Sequence, residues 1–185
     1  MPTSPNPSAQ PTTGTGSSST GRGAEGVSLG ARTAGFRATL CAFWIGPRCY
    51  AVDIGLVGEV VGVDRFLDVP LAPPGILGLF SLRGIPVALL DLTVVLELAD
   101  RVSGRDGTPV SALVLSRPSG VIAAIVVDRV EGVVPEGRGV YTPREWAHEH
   151  PAVQGFVEVE FRRPVVVTVL DPIELTSRLN KLKYH

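Results

Sequence analysis

The feature of this sequence that most constrains its fold is an internal repeat, because the second half of the chain follows the order of the first. The segment "YAVDIGLVGEVV" at 50–61 is echoed by "IAAIVVDRVEGVV" at 122–134, and each predicts a strand, a short helical turn and a Val-Val exit. The segment "LGLFSLRGIPVALLDLTVVLEL" at 77–98 is echoed by "QGFVEVEFRRPVVVTVLDPIEL" at 154–175, and each predicts a hairpin that leads into an Asp-capped helix. Each half alone would have a marginal core, so we expect two small barrels that share an interface and fold as one unit.

The spacing of the repeat changes along the chain. Gly78 and Gly155 are 77 residues apart, whereas Asp91 and Asp171 are 80 residues apart. The second hairpin is therefore predicted to be about three residues longer than the first.

Gly and Pro interrupt runs of β-branched and aromatic residues at short intervals, which is typical of a mainly β domain with short strands. Strands are predicted at 37–45, 49–53, 76–82, 85–90, 110–116, 120–127, 153–161 and 164–170. A helical turn is predicted over 54–60, with Asp53 as its N-cap, and a helix is predicted from Asp91. A last helix is predicted over 171–182, and "YTPREWAHEHP" is interpreted as a long polar connection.

The first part of the chain differs in composition from the rest. Residues 1–26 contain no Val, Leu, Ile or aromatic residue. Such a segment buries too little apolar surface to offset its ordering entropy, so residues 1–35 are predicted to be a disordered tail. The folded domain is predicted to span 36–182, with subdomains at roughly 36–100 and 110–170 followed by the C-terminal helix.

Charge and cysteine content argue against several classes of protein. The formal net charge is -1 and the pI is about 6.3, which gives no electrostatic case for nucleic acid. The start of the chain lacks the basic and apolar regions of a signal peptide, and nothing resembles a membrane anchor, so we expect a cytoplasmic protein without direct membrane insertion. Cys41 and Cys49 would not lie opposite each other across a turn at Gly46 and Pro47, and we expect two buried, reduced thiols.

An enzyme is disfavoured by the distribution of reactive side chains. The three histidines are His148, His150 and His185, so no Ser or Cys nucleophile has a base in a plausible position. His148 and His150, without further ligands, are a weak signal for metal. Glu158 and Glu160 alternate with Val and are expected to face solvent on a strand. We therefore expect no catalysis, no cofactor and no metal.

A single arginine interrupts the apolar run "GLFSLRGIPVALLDL" at 78–92. Arg83 and Gly84 divide the run into two strands joined by a tight turn, and Gly84 supplies the permissive backbone that a turn requires. A solvated turn arginine is one interpretation. A role for Arg83 in binding a partner is the other.

The order of these motifs resembles that of the CheW family of chemotaxis coupling proteins, from about Phe36 to Leu182. The strongest match is "VPLAPPGILGLFSLRGIPVALLDL", which is similar to the family's pattern of Val-Pro, a Pro-rich bend, a Gly-containing strand, Asn-Leu-Arg-Gly and a strand that ends in Asp-Leu. The sequence departs from that pattern in three places. Ser81 replaces the usual Asn, the second hairpin contains "VEFRRP" in place of a compact Asp-Gly turn, and a long tail precedes the domain.

The resemblance implies two intertwined SH3-like five-stranded β-barrels with short helices, and no catalysis. Family members bridge the cytoplasmic tip of a chemoreceptor and the regulatory domain of a chemotaxis histidine kinase, so it implies an adaptor with these two partners. It places Arg83 and Glu59 at or near a receptor-facing groove, and we hypothesise that they form an ion pair. Gly84, Val57 and Val60 are further candidates for partner binding, with core packing as the alternative for the two valines. A divergent scaffold that binds only one of these partners, or serves a non-flagellar pathway, is the alternative function.

Overall fold

The computed structural model describes residues 36–98, 109–144 and 150–181. The predicted tail at 1–35 lies outside these residues. The strands are β1 (Leu40–Ile45), β2 (Arg48–Asp53), β3 (Val57–Val63), β4 (Ile76–Leu82), β5 (Ile85–Leu90), β6 (Val110–Arg117), β7 (Gly120–Val127), β8 (Arg129–Val134), β9 (Val140–Pro143), β10 (Val153–Glu160) and β11 (Pro164–Leu170). A 3₁₀ turn covers Ile54–Leu56, and the helices are α1 (Leu92–Val95) and α2 (Pro172–Lys181).

The strands form two sheets that exchange strands between the two repeats. One sheet has six strands in the order β8-β1-β2-β11-β10-β9, and the other has five in the order β3-β6-β7-β5-β4. The six-stranded sheet thus combines the first two strands of the first repeat with the last strands of the second. The five-stranded sheet does the reverse. The prediction of a mainly β, intertwined fold is confirmed.

Strands of the two repeats pair at four places, of which β1 with β8 and β3 with β6 are antiparallel and the other two are parallel. In one sheet β11 lies parallel to β2, with Val167 opposite Cys49, and in the other β5 lies parallel to β7, with Leu89 opposite Ala124. The pairs within each repeat's own hairpins are antiparallel. The predicted bounds at 36–100 and 110–170 therefore describe the two repeats along the chain and do not separate the two sheets.

The described core has three large clusters and a small one around Leu90 and Ala123, because most central strands are buried on both faces. Alternate residues of β1 face opposite ways: Phe43 packs into a cluster shared by both sheets and both helices, whereas Ala42 packs into a cluster confined to the six-stranded sheet. The five-stranded sheet has a corresponding cluster of its own around Phe80 and Leu89. The shared cluster is the common interface that the repeat predicts.

Gly78 on β4 and Gly155 on β10 occupy matching positions in the two repeats. Each glycine allows the backbone of another segment to approach its strand closely. Leu67 exchanges two backbone hydrogen bonds of 2.8 Å with Leu79 of β4, and β9 pairs with β10 in the same place. A Cβ on Gly78 would overlap the Leu67 carbonyl oxygen, and one on Gly155 would stand 2.5 Å from the Thr142 carbonyl oxygen. Leu67 follows β3 in the chain and pairs with Leu79 of β4. This bridge therefore links the two edge strands of the five-stranded sheet, β3 and β4.

Most predicted strands agree with the structure, and the second hairpin is three residues longer, 18 residues (Val153–Leu170) against 15 (Ile76–Leu90). The predicted cap residues are also confirmed. Asp53 accepts a hydrogen bond from Gly55 N, and Asp171 accepts one from Ile173 N, both 2.8 Å long.

Three predictions about local structure are wrong. The helical turn at 54–60 ends at Leu56, because the β-branched run that follows pairs with β6. The repeat at 122–134 has no helical turn, since β7 passes directly into β8 around Asp128. The "YTPREWAHEHP" segment begins as strand β9, and this strand makes the sheet six-stranded instead of five-stranded.

Candidate functional site

The turn between β4 and β5 has a backbone conformation that normally favours Asn or Gly. Arg83 has φ +51° and Gly84 has φ +84°, and the pair Leu82 and Ile85 closes the turn. Two consecutive residues with positive φ define a type I′ hairpin turn, which matches the twist of the flanking strands. The prediction that Gly84 supplies a permissive turn backbone is confirmed, and Arg83 occupies a left-handed position that costs an L-residue about 1 kcal/mol.

Arg83 forms the hypothesised ion pair with Glu59. The guanidinium Nη2 donates to the Glu59 carboxylate at 2.9 Å, and the side chains are 77% and 30% exposed, respectively. Glu59 lies on strand β3, so the prediction that it lies on a helical turn is wrong. Because β3 and β4 are the two ends of the five-stranded order, the ion pair connects the hairpin turn to the far edge of the same sheet.

Val57 and Val60 differ in their surroundings. Val57 is partly buried and packs against the cluster shared by the two sheets, so packing accounts for it. Val60 is 49% exposed and lies on the other face of β3 from Glu59. Of the two valines, Val60 is therefore the one available to a partner.

An apolar groove lies beside the turn. It has a volume of about 360 Å³, and its lining includes Phe66, Leu67, Leu79, Gly84 and Pro86. Leu67 is exposed although it pairs with β4, so the groove has an apolar rim as well as an apolar floor. We call Arg83, Glu59, Gly84 and this groove the hairpin surface.

The contribution of Leu67 to the hairpin surface was missed at the level of sequence. Its segment, "DRFLDVP", has no alternating pattern and contains several charges. The signal that could have identified it is Gly78, since a glycine within a strand often marks the close approach of another backbone.

Within 36–98, 109–144 and 150–181, no group of three or more metal-ligating side chains comes together. His148 and Glu149 lie outside the described residues. His150 Nδ1 accepts a hydrogen bond from Ala152 N at 3.2 Å, which gives that nitrogen a structural role.

The two cysteines are free and buried, as predicted. Cys41 pairs with Val52 and Cys49 with Trp44, and the cysteine side chains enter different core clusters on opposite faces of the sheet. Burial raises the pKa of both thiols above 9.0, and for Cys49 the pKa reaches about 12. Burial is the main cause for Cys49, while the Glu131 carboxylate raises its pKa further and Arg129 opposes the shift.

No helix among the described residues is long and apolar enough to cross a membrane.

The structure is thus a β-domain with two exchanged sheets and a solvent-facing apolar groove beside the turn that carries Arg83. The CheW-like domain model matches residues 40–179, and the chain belongs to the CheW-like domain family.

A solved structure shows the same fold. The chain is similar to the scaffolding protein TtCheW from Thermoanaerobacter tengcongensis, with a TM-score of 0.60 and 21% sequence identity. The similarity covers 74% of this chain and 90% of that one.

Proposed function

We propose that this protein is a non-enzymatic adaptor that couples the cytoplasmic tip of a chemoreceptor to the regulatory domain of a chemotaxis histidine kinase. It acts in the cytoplasm, where receptor arrays recruit it. The observation that carries the proposal is the Arg83–Glu59 pair, 2.9 Å long, in a chain of the CheW-like domain family. Arg83 directly precedes Gly84, which lines an open apolar groove.

The energetics of Arg83 favour a role in binding over a role in folding. An exposed ion pair stabilises a fold by about 0 to 1 kcal/mol. The left-handed backbone of Arg83 costs about as much, so the isolated fold gains little from an arginine here. The Arg83 side chain is mostly exposed and is oriented by Glu59, which gives a partner a guanidinium in a defined position.

The character of the hairpin surface fits a protein partner. Protein interfaces combine an apolar centre with a polar rim, and arginine is among the residues enriched there. Here Phe66, Leu79 and Pro86 form the apolar part, and the turn that supplies Gly84 to the groove also carries Arg83, paired with Glu59. Val60 lies outside the hairpin surface and exposes further apolar area on the other face of β3 from Glu59.

The test is a binding measurement with the full chain, because the exchanged sheets give no basis for testing either repeat alone. Wild type, Arg83→Ala and Arg117→Ala are passed over an immobilised receptor tip and, separately, over an immobilised kinase regulatory domain. Arg117 is a matched control, since it is an exposed arginine in the β6–β7 hairpin. Circular dichroism confirms that each variant is folded.

A coupling protein binds both ligands, and Arg83→Ala weakens at least one of them while Arg117→Ala does not. Binding of one ligand only would replace this proposal with a one-partner scaffold. Binding of neither would remove the coupling function, and equal affinities for wild type and Arg83→Ala would remove Arg83 from the working surface.

A further inference from the structure

The six-stranded sheet carries a second candidate surface, at the end where three turns of the chain lie close together. These are the β1–β2 turn, the β7–β8 corner and the β10–β11 turn. Between them lies a groove of about 610 Å³. The residues that line it are Trp44, Arg129, Val130, Glu131, Phe161, Arg162, Arg163 and Val165.

Trp44 is the fixed centre of this groove. Its side chain is only 6% exposed, and its Nε1 donates a 2.6 Å hydrogen bond to the Glu131 carboxylate. The Arg129 guanidinium carbon lies 4.6 Å from the centre of the indole ring, and that of Arg163 lies 5.9 Å away. The indole thus orients two arginines through cation–π contacts.

The charges in the groove do not cancel. Arg129, Arg162 and Arg163 line it together with one acidic residue, Glu131, which already binds Trp44 and lies 3.7 Å from Arg129. Within the part of the chain that the structure describes, Arg162 and Arg163 have no ion-pair partner. An adjoining groove of about 390 Å³ adds Arg48. A chain with a net charge of -1 therefore concentrates positive charge at one end of one sheet.

The structure argues against two occupants. Single-stranded nucleic acid binds by stacking its bases on open aromatic faces, but Trp44 is almost completely covered. The chain's own first 35 residues contain a single acidic residue, Glu25, and two arginines, so their charge does not complement the groove.

We propose that this groove binds an acidic segment of a partner protein, in which Asp or Glu carboxylates pair with Arg162 and Arg163. Guanidinium groups bind carboxylates through two parallel hydrogen bonds, which favours arginine over lysine for such recognition. The Arg129–Trp44–Arg163 arrangement holds the groove in shape, while Phe161 and Val165 supply apolar contact for the side chains between the carboxylates. This surface is distinct from the hairpin surface, which lies on the other sheet.

The test uses fluorescence anisotropy of a short dye-labelled Glu-rich peptide titrated with the full chain. The same peptide with every Glu replaced by Gln serves as the ligand control. The double variant Arg162→Gln/Arg163→Gln is compared with Arg117→Gln/Arg138→Gln, which removes the same charge from exposed positions outside the groove.

Wild type is expected to bind the Glu-rich peptide and not its Gln counterpart, with an affinity that falls as ionic strength rises. The groove variant should bind at least about tenfold more weakly, while the control variant should bind as wild type does. Equal weakening in both variants would overturn the proposal in favour of non-specific charge attraction. Tighter binding of a short oligothymidylate than of the peptide would overturn it in favour of phosphate recognition. Neither the peptide comparison nor the variant comparison involves Arg83. A negative result in this experiment would therefore leave the proposed coupling function untouched.

Discussion

Arg83 and Glu59 connect opposite ends of the five-stranded sheet through a contact of 2.9 Å. One residue lies in the turn of the β4–β5 hairpin and the other on β3, which is separated from that hairpin by two intervening strands in the sheet order. The Arg83 side chain is 77% exposed and that of Glu59 is 30% exposed, so we expect the pair to contribute no more than about 1 kcal/mol to the stability of the fold.

A double-mutant cycle with Arg83→Ala and Glu59→Ala should separate the effect of the pair on stability from its effect on binding. We expect a coupling energy below about 1 kcal/mol in urea unfolding, because the pair is solvent-exposed. We expect both single variants to weaken binding of the same partner. A coupling energy above about 3 kcal/mol would instead identify the pair as a structural element of the sheet.

Arg83→Asn should separate backbone conformation from side-chain function. Asn-Gly is the preferred pair for a type I′ turn, so this substitution should leave the free energy of unfolding unchanged or raise it by up to about 1 kcal/mol. It also removes the guanidinium, so it should weaken binding of at least one partner, as Arg83→Ala does. Unchanged binding by a folded Arg83→Asn protein would show that the turn, and not the guanidinium, is recognised.

Gly78→Ala should destabilise the protein by about 1 to 3 kcal/mol, since the new methyl group would overlap the Leu67 carbonyl oxygen and approach the Phe66 ring. Gly62→Ala is the matched control. Gly62 also lies on a strand, and a Cβ there meets nothing within 4 Å. Chemical denaturation of both variants measures the difference. Equal stability of the two would show that the Leu67 segment moves away at little cost.

Stability should fall as pH rises from about 9 to 12. The thiol of unfolded Cys49 loses its proton above the ordinary pKa of 9.0, whereas the folded thiol keeps it up to a pKa of about 12. Ionisation therefore favours the unfolded state throughout this window. Burial raises the pKa of Cys41 and Tyr141 as well, which adds to the fall.

Urea titrations between pH 8 and about 11 measure this dependence. Cys49→Ala should show a shallower loss of stability with pH than wild type. Identical slopes for the two proteins would show that Cys49 becomes accessible to hydroxide without unfolding.

Much of the fold could be predicted from sequence because its signals are local. Alternating β-branched residues and Gly-containing turns identified most strands, and the Arg-Gly dipeptide identified the tight turn. The Arg83–Glu59 pair could be predicted because few other acidic residues stand near Glu59 in the sequence.

The errors have a common physical cause, which is that pairing with a neighbour outweighs local preference. Asp53 does cap a turn, but Val57 and the residues after it gain more from the edge of β6 than from a continued helix. The polar segment at 140–143 becomes a strand because β10 offers it an unpaired edge. The groove around Trp44 was missed because its arginines come from separate turns, and the sequence does not show that these turns meet.

The exchange of strands between the sheets has a consequence for the order in which the protein acquires structure during synthesis. β2 ends at Asp53, but its parallel neighbour β11 begins at Pro164, so the ribosome must add more than 100 residues before the first sheet can be completed. Until then β1 and β2 form a hairpin with an open apolar edge. Contacts of such long range slow folding, and an unpaired edge invites pairing with another nascent chain. The route of the backbone thus leaves the newly made hairpin open to pairing with other chains until β11 has been synthesised.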